Sequence, residues 1–262
     1  MRRHSDKRTG LIPVQVLCLG VGEACDSRHG NTSALITTKN STILLDCGFS
    51  VPHRFFGYCD EPDCLDFVWV SHFHGDHFFG LPLLLLRFWE MGRHKPLQLI
   101  GQQELEEKSI TALELAYPGF AEKLSFPLQF HTITPGSPLL IEGLQLQAEQ
   151  SAHSQRNYGL LIDDGIHRLY YSGDGRPTAK SRRLIHGCDL ALHEAFTLHN
   201  PVPGHGSING CLQLMEDENI KQLALLHIER TTRQVQKTAI EELLKQHPGL
   251  LLPKDGELII LN

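Results

Sequence analysis

Apolar and polar positions along this 262-residue chain keep two periods, and the switches between them mark its elements. Residues 14–19 alternate as a strand and run into the loop Gly20-Val21-Gly22-Glu23. Residues 33–38 and 42–46 predict two more strands about a Lys39-Asn40 turn, and the unbroken run Phe67-Val68-Trp69-Val70-Ser71 predicts a buried one. Residues 81–91 are apolar apart from Arg87 and Glu90 and suit a partly buried helix. A short strand at 97–100 precedes a helical period over 102–115, whose acidic residues come early, where the helix dipole favours them. The second half begins again with strands at 128–132, 144–150, 158–162 and 167–171, then a helix at 178–185 and a strand at 190–193. A helix at 207–216, a strand at 223–227, a helix at 232–246 and a strand at 258–261 complete it. Runs of strands flanked by helices, in two comparable halves, predict two packed sheets with helices on their outer faces. No linker composition interrupts residues 1–262, so a single domain is expected.

Composition narrows the picture a little. Hydrophobic content of 41% and charged content of 21% are those of an ordinary globular protein, and a net charge of -6 argues against wholesale affinity for nucleic acid. Seven cysteines without a CxxC pair read as reduced thiols, and Cys59 with Cys64 lacks the second pair that a metal clip needs. The start, Met1-Arg2-Arg3-His4 and then Leu11 onward, resembles a signal peptide only faintly, because Pro13, Gln15 and the lack of a long apolar run spoil it. No segment is long enough to cross a bilayer, and a cytoplasmic protein is expected.

Sixteen histidines are the compositional oddity, and the chemistry concentrates where they do. Ser71-His72-Phe73-His74-Gly75-Asp76-His77 leaves the end of a predicted strand in a glycine-containing loop, with three imidazoles and a carboxylate able to converge. That donor set suits zinc, and manganese or iron(II) less specifically. One loop cannot saturate two metals. His153, Asp174 (between Gly173 and Gly175) and His227 each end a predicted strand and would complete the set. Each alone is as readily a hydrogen-bonded core residue; together, at the same end of their strands, they point to a metal site.

The pattern His72-x-His74-x-Asp76-His77 followed by His153, Asp174 and His227 resembles the metallo-β-lactamase superfamily, and most nearly its ribonuclease Z branch. Supporting segments are Leu19-Gly20-Val21-Gly22 to Asn31-Thr32-Ser33, Leu45-Asp46-Cys47-Gly48, residues 71–82, His193-Glu194-Ala195-Phe196, Gly204-His205-Gly206-Ser207 and His227-Ile228-Glu229-Arg230. The resemblance implies an αββα sandwich with its site at the strand ends. It assigns His72, His74 and His153 to one zinc and Asp76, His77 and His227 to a second, with Asp174 bridging. Two ions about 3.5–4 Å apart activate water and clamp both oxygens of a phosphodiester displacement. The resemblance also makes His205 the general acid and Glu194 its orienting carboxylate, counts Asp76 among the catalytic residues, and implies a homodimer. Asp46 is expected beside a ligand histidine, and His193 is as readily structural.

The chain also departs from the branch. Twenty residues separate His153 from Asp174, leaving no room for the arm that grips tRNA in many ribonuclease Z proteins. Phe196 stands where the branch has threonine, and His205-Gly206-Ser207 is not its usual triplet. Arg87, Arg93, His94 and Lys95 lie among Phe88 and Trp89, aromatics that read more readily as core than as stacking platforms; Lys180, Arg182, Arg183, Arg230 and Arg233 are scattered, so no strong basic groove is expected. The expected function is therefore dinuclear zinc phosphodiester hydrolysis, with a tRNA precursor as the leading substrate. The alternatives are a compact phosphodiesterase for cyclic nucleotides or other small phosphodiesters, or a thioester or lactone hydrolase. A non-catalytic scaffold of the same fold is disfavoured because all seven ligand positions hold competent donors.

Overall fold

The computed structural model describes residues 13–262. The signal-peptide-like start, residues 1–12, thus lies outside the described residues. Two seven-stranded mixed sheets face one another. The first has the order β14-β1-β2-β3-β4-β5-β6, built from β1 (Val14–Gly20), β2 (Ser33–Thr37), β3 (Thr42–Leu45), β4 (Phe67–Trp69), β5 (Leu97–Gly101), β6 (Leu128–Thr132) and the C-terminal β14 (Glu257–Leu261). The second has the order β13-β12-β11-β10-β9-β8-β7, built from β7 (Leu139–Ile141), β8 (Leu144–Gln150), β9 (Tyr158–Asp163), β10 (Arg168–Tyr171), β11 (Leu190–Glu194), β12 (Gln222–Leu226) and β13 (Leu250–Leu251). Each sheet is antiparallel through four strands and parallel through the other three.

Alternation of side chains sorts the apolar residues into three layers. Val16, Ile36, Leu45 and Trp69 of the first sheet meet Leu146, Leu160, Leu192 and Leu226 of the second in the central core. Leu17, Leu44 and Val68 point the other way, against α1 (Val51–Phe55), α3 (Leu81–Glu90) and α4 (Leu105–Ala116); the short α2 (Gly75–Phe78) carries part of the histidine loop. Leu161, Ala191 and Leu225 pack outward on α5 (Ala179–Ile185), α6 (Ile208–Asp217) and α8 (Lys237–Gln246). This is the metallo-β-lactamase αββα sandwich. The parallel strands β3, β4, β10, β11 and β12 deliver their loops to one edge, where the site forms.

Besides the short strands β7 and β13, where no strand was expected, three features differ from the sequence expectations. The helix expected over 232–246 is two helices, α7 (Arg230–Val235) and α8, because Gln236 leaves helical geometry at φ -96°, ψ 14°. The β-branched Thr231, Thr232 and Val235 favour that interruption, while the Glu229 carboxylate caps the Thr231 and Thr232 N–H groups. Secondly, Cys59 and Cys64 form a disulfide. The turn through Asp60, Glu61, Pro62 and Asp63 brings their Cα atoms to 6.6 Å, within bridging range, so these two are not reduced thiols. Thirdly, Arg93 is buried rather than a surface cation. Its guanidinium donates to the carbonyls of Pro62, Leu65, Lys95 and Pro96 and lies 4.8 Å from the Phe88 ring centroid.

Candidate metal centre

Backbone geometry at three strand ends aims the donors. Asp46 follows β3 at φ 58° and His227 follows β12 at φ 53°, a left-handed conformation that costs a non-glycine residue about 1–3 kcal/mol. Each is held by its surroundings: the Asp46 N–H donates to the Trp69 carbonyl (2.8 Å), and the His227 N–H to that of Val21 (3.0 Å). Asp174 sits between Gly173 (φ 56°) and Gly175 (φ 95°). A Cβ on Gly173 would lie 2.3 Å from Asn157 Oδ1, and one on Gly175 2.6 Å from Ser151 Oγ, so only glycine lets this loop close on its neighbours. Asn157 Oδ1 accepts from the Asp174 N–H (3.1 Å) and fixes the turn further.

The imidazoles converge in two groups. His72 Nε2 lies 3.1 Å from His74 Nδ1, which lies 3.2 Å from His153 Nε2; Asp174 Oδ2 is 3.8 Å from both Nε2 atoms. In the second group, Asp76 Oδ2 is 3.3 Å from both His77 Nε2 and His227 Nε2. There Asp174 Oδ1 is 3.3 Å from His77 Nε2 and 3.5 Å from His227 Nε2. Donors about 2.0–2.1 Å from a tetrahedral zinc stand ~3.4 Å apart. Both clusters match that edge length, and one carboxylate offers an oxygen to each.

Hydrogen bonds behind the rings settle which nitrogen faces inward. His77 Nδ1–H donates to Asp46 Oδ2 (2.7 Å), and His153 Nδ1–H to the Gly204 carbonyl (2.7 Å). Ser71 Oγ donates to Asp46 Oδ2 (2.7 Å) and so accepts from His72 Nδ1–H (3.0 Å). Each of these rings then turns the lone pair of Nε2 into the site. Asp46 also accepts from the Ser71 N–H (2.7 Å) and the Tyr171 hydroxyl (2.6 Å). What the donors lack is partners: His77 Nε2 and Asp174 Oδ1 are buried and make no hydrogen bond. A divalent cation is the group that would satisfy them, and the donor set fits it.

Electrostatics point the same way. Burial, reinforced by the neighbouring His77, holds His72 well below its ordinary pKa, in the neutral form a metal requires. Burial would push Asp174 up, yet the charges of His227 and His77 outweigh it and hold the carboxyl well below its usual range. Burial likewise opposes protonation of His77, but the charge of Asp174 and the nearby carboxylates of Asp46 and Asp76 outweigh it and leave the ring well above its usual value.

Glu194 and His205 stand beside this centre. Buried Glu194 Oε1 accepts from the Gly175 N–H (3.1 Å) and the Gly206 N–H (2.6 Å), tying the Asp174 loop to the His205 loop. Its Oε2 accepts from the Phe196 N–H (3.2 Å) and is 3.7 Å from His205 Nδ1, beyond hydrogen-bonding distance. Glu194 therefore shapes the backbone around His205 rather than gripping its ring. The His205 ring lies between Phe196 (centroids 4.5 Å apart, planes at 22°) and His227 (5.6 Å, 11°). His193 faces away from the centre: it stacks on Tyr170, and its Nδ1–H donates to the Glu194 carbonyl (2.8 Å). Sequence reasoning missed Ser71, Asn157 and Tyr171. Ser71 borders the histidine motif and was within reach, whereas nothing local marks the other two. Between His153 and Asp174 the chain is a short lead-in, residues 154–157, and then the β9–β10 hairpin with its tight turn.

Comparison with known proteins adds the lineage. A family model described as anti-Pycsar protein Apyc1 matches residues 14–249. The ribonuclease BN of Citrobacter koseri is 31% identical over 82% of this chain and 89% of its own. The metallo-β-lactamase fold protein YhfI of Bacillus subtilis superposes with a TM-score of 0.77 at 20% identity, covering 95% of this chain and 99% of that one. Human tRNase Z, short form, gives the same TM-score, identity and coverage.

Proposed function

The chain belongs to the Apyc1 anti-Pycsar family and to the ribonuclease Z-like branch of the metallo-β-lactamase superfamily, and from that premise we propose a dinuclear zinc phosphodiesterase that cuts RNA. It is a metal-dependent hydrolase of the ribonuclease Z type. The observation that carries the dinuclear reading is Asp174, with Oδ2 directed at the His72–His153 group and Oδ1 at the His77–His227 group. In this reading His72, His74 and His153 would hold one zinc and Asp76, His77 and His227 the other, with Asp174 offering one carboxylate oxygen to each group. Bound there, two such ions lower the pKa of a water and offset the phosphate charge.

The protein's own side chains supply the rest. Asp46 and Ser71 keep the ligand imidazoles in one tautomer. Water attacks phosphorus and releases its proton to solvent, the bond to the leaving oxygen breaks, and His205 gives that oxygen a proton and regains one from solvent. Glu194 fixes the loop that presents His205, and Phe196 fixes its ring. We read residues 1–262 as one domain, the enzyme as a homodimer, as its resemblance to the branch implies, and its location as cytoplasmic. Among the described residues no helix is long and apolar enough to cross a membrane.

A second reading has its own support. The β9–β10 hairpin fills the interval where a tRNA-gripping arm would sit, which favours a small phosphodiester such as a cyclic nucleotide. The test is a tRNA precursor with a 3′ trailer set beside a cyclic nucleotide, each with zinc-loaded protein. A single cut after the acceptor stem supports the RNA reading. Turnover of the cyclic nucleotide alone replaces it with the second.

A further inference from the structure

Two of the cations scattered in the sequence, Arg230 and Arg233, come together with Arg28 and Lys237. Asp26, Ser27, Arg28 and His29, in the loop between β1 and β2, form one wall of a cleft of about 470 Å³; Arg230, Thr231, Arg233, Gln234 and Lys237 form the other. The same two segments carry His227: its N–H donates to the Val21 carbonyl, and Ile228 pairs with Gly22. Arg230 follows His227 by three residues, so the cleft begins within about 10 Å of chain from the metal centre.

Its charge is lopsided. Arg28, Arg230 and Lys237 are exposed, and among the described residues the Arg28 guanidinium has no carboxylate partner. Arg233 keeps Nη2 on the Val21 carbonyl (3.0 Å) while its buried Nε has no partner. The opposing carboxylates are largely engaged. Glu23 pairs with Arg230, and Asp255 with Arg54 and His29. Asp26 accepts from the Arg28 and His29 N–H groups, which closes its loop. Glu241 stands 3.8 Å from Lys237. A concave surface with guanidinium and ammonium donors and few free carboxylates suits phosphate oxygens.

We propose that this cleft binds the backbone phosphates of a single-stranded RNA whose scissile phosphodiester lies at the metal centre. The inference rests on the RNA reading above and supplies the substrate grip that the missing arm does not. It also explains how a protein of net charge -6 engages a polyanion, through one local field rather than its total charge.

The test is fluorescence anisotropy of an end-labelled single-stranded oligoribonucleotide against the wild-type chain and an Arg28→Glu/Lys237→Glu variant. Both positions are exposed, so the variant is expected to fold, and unchanged hydrolysis of bis(p-nitrophenyl) phosphate checks this. Binding weakened tenfold or more is expected, with the salt dependence of log K reduced by about 1.4, the loss of two single-strand phosphate contacts. Equal RNA affinity in the two proteins overturns the proposal, as does no RNA binding by wild type. Cleavage is scored separately: an RNA bound through the cleft but left uncut retains the cleft and removes the nuclease reading.

Discussion

Asp46 Oδ2 accepts a hydrogen bond from His77 Nδ1 at 2.7 Å, with both side chains fully buried. The same oxygen takes the Ser71 and Tyr171 hydroxyls, so one carboxylate fixes His77 directly and His72 through Ser71. Partners of this kind typically contribute 10–100-fold to metal affinity. Asp46→Asn, which tolerates the left-handed backbone, is expected to weaken metal binding by about that factor in a chelator competition. Wild-type affinity in the variant would show that the ligand rings need no such support.

Phe196 predicts a dependence on the leaving group. A p-nitrophenolate departs without a proton, whereas a ribose oxygen requires one. His205→Ala is therefore expected to slow an alkyl phosphodiester by about 10²–10⁴ while barely affecting bis(p-nitrophenyl) phosphate. Phe196→Thr, which removes the ring stacked 4.5 Å from His205, should slow the alkyl substrate selectively but less severely. Equal losses on both substrates would assign the two residues to folding or binding instead.

The pKa shifts set the sign of a pH dependence. Burial opposes protonation of His77 and His227, but the Asp174 charge and their other acidic neighbours raise both pKa values above the ordinary one. Before a metal arrives these rings hold protons more tightly than free imidazoles do, and a metal must displace them. Metal affinity should accordingly rise with pH, with net proton release visible in titration calorimetry across buffers of different ionisation enthalpy. Affinity independent of pH from 6 to 8 contradicts this picture of the site.

Metal removal should also reach the fold, since the donors are buried polar groups facing one another. At free zinc 1,000-fold above Kd, each site adds about 4 kcal/mol of stability. A chelator is thus expected to lower the thermal midpoint by several degrees. An unchanged midpoint would mean that the centre binds no metal under those conditions.

Most of the architecture was legible in the sequence because strand and helix periods are local. The continuous apolar run of β4 and the alternation of β1 each announced a strand, and the histidine motif after β4 announced the chemistry. Seven donor positions could be named because each ends a strand or follows one, and the fold gathers strand ends. The short β7 and β13 were missed for want of a full period, and the break at Gln236 interrupts a helical period that runs on through it. The Glu194–His205 separation of 3.7 Å and the basic cleft depend on segments meeting in space. No spacing along the chain records such meetings; Arg28 and Lys237 lie more than 200 residues apart in the sequence.

The most direct test of the central claim is the rate of bis(p-nitrophenyl) phosphate hydrolysis by zinc-loaded wild type and Asp174→Ala, with metal content measured on the same samples. Two zinc ions are expected per wild-type chain, and activity reduced at least 100-fold together with loss of metal in the variant. Equal activity in the two proteins would contradict the assignment of a bridging carboxylate at Asp174 and with it the dinuclear phosphodiesterase.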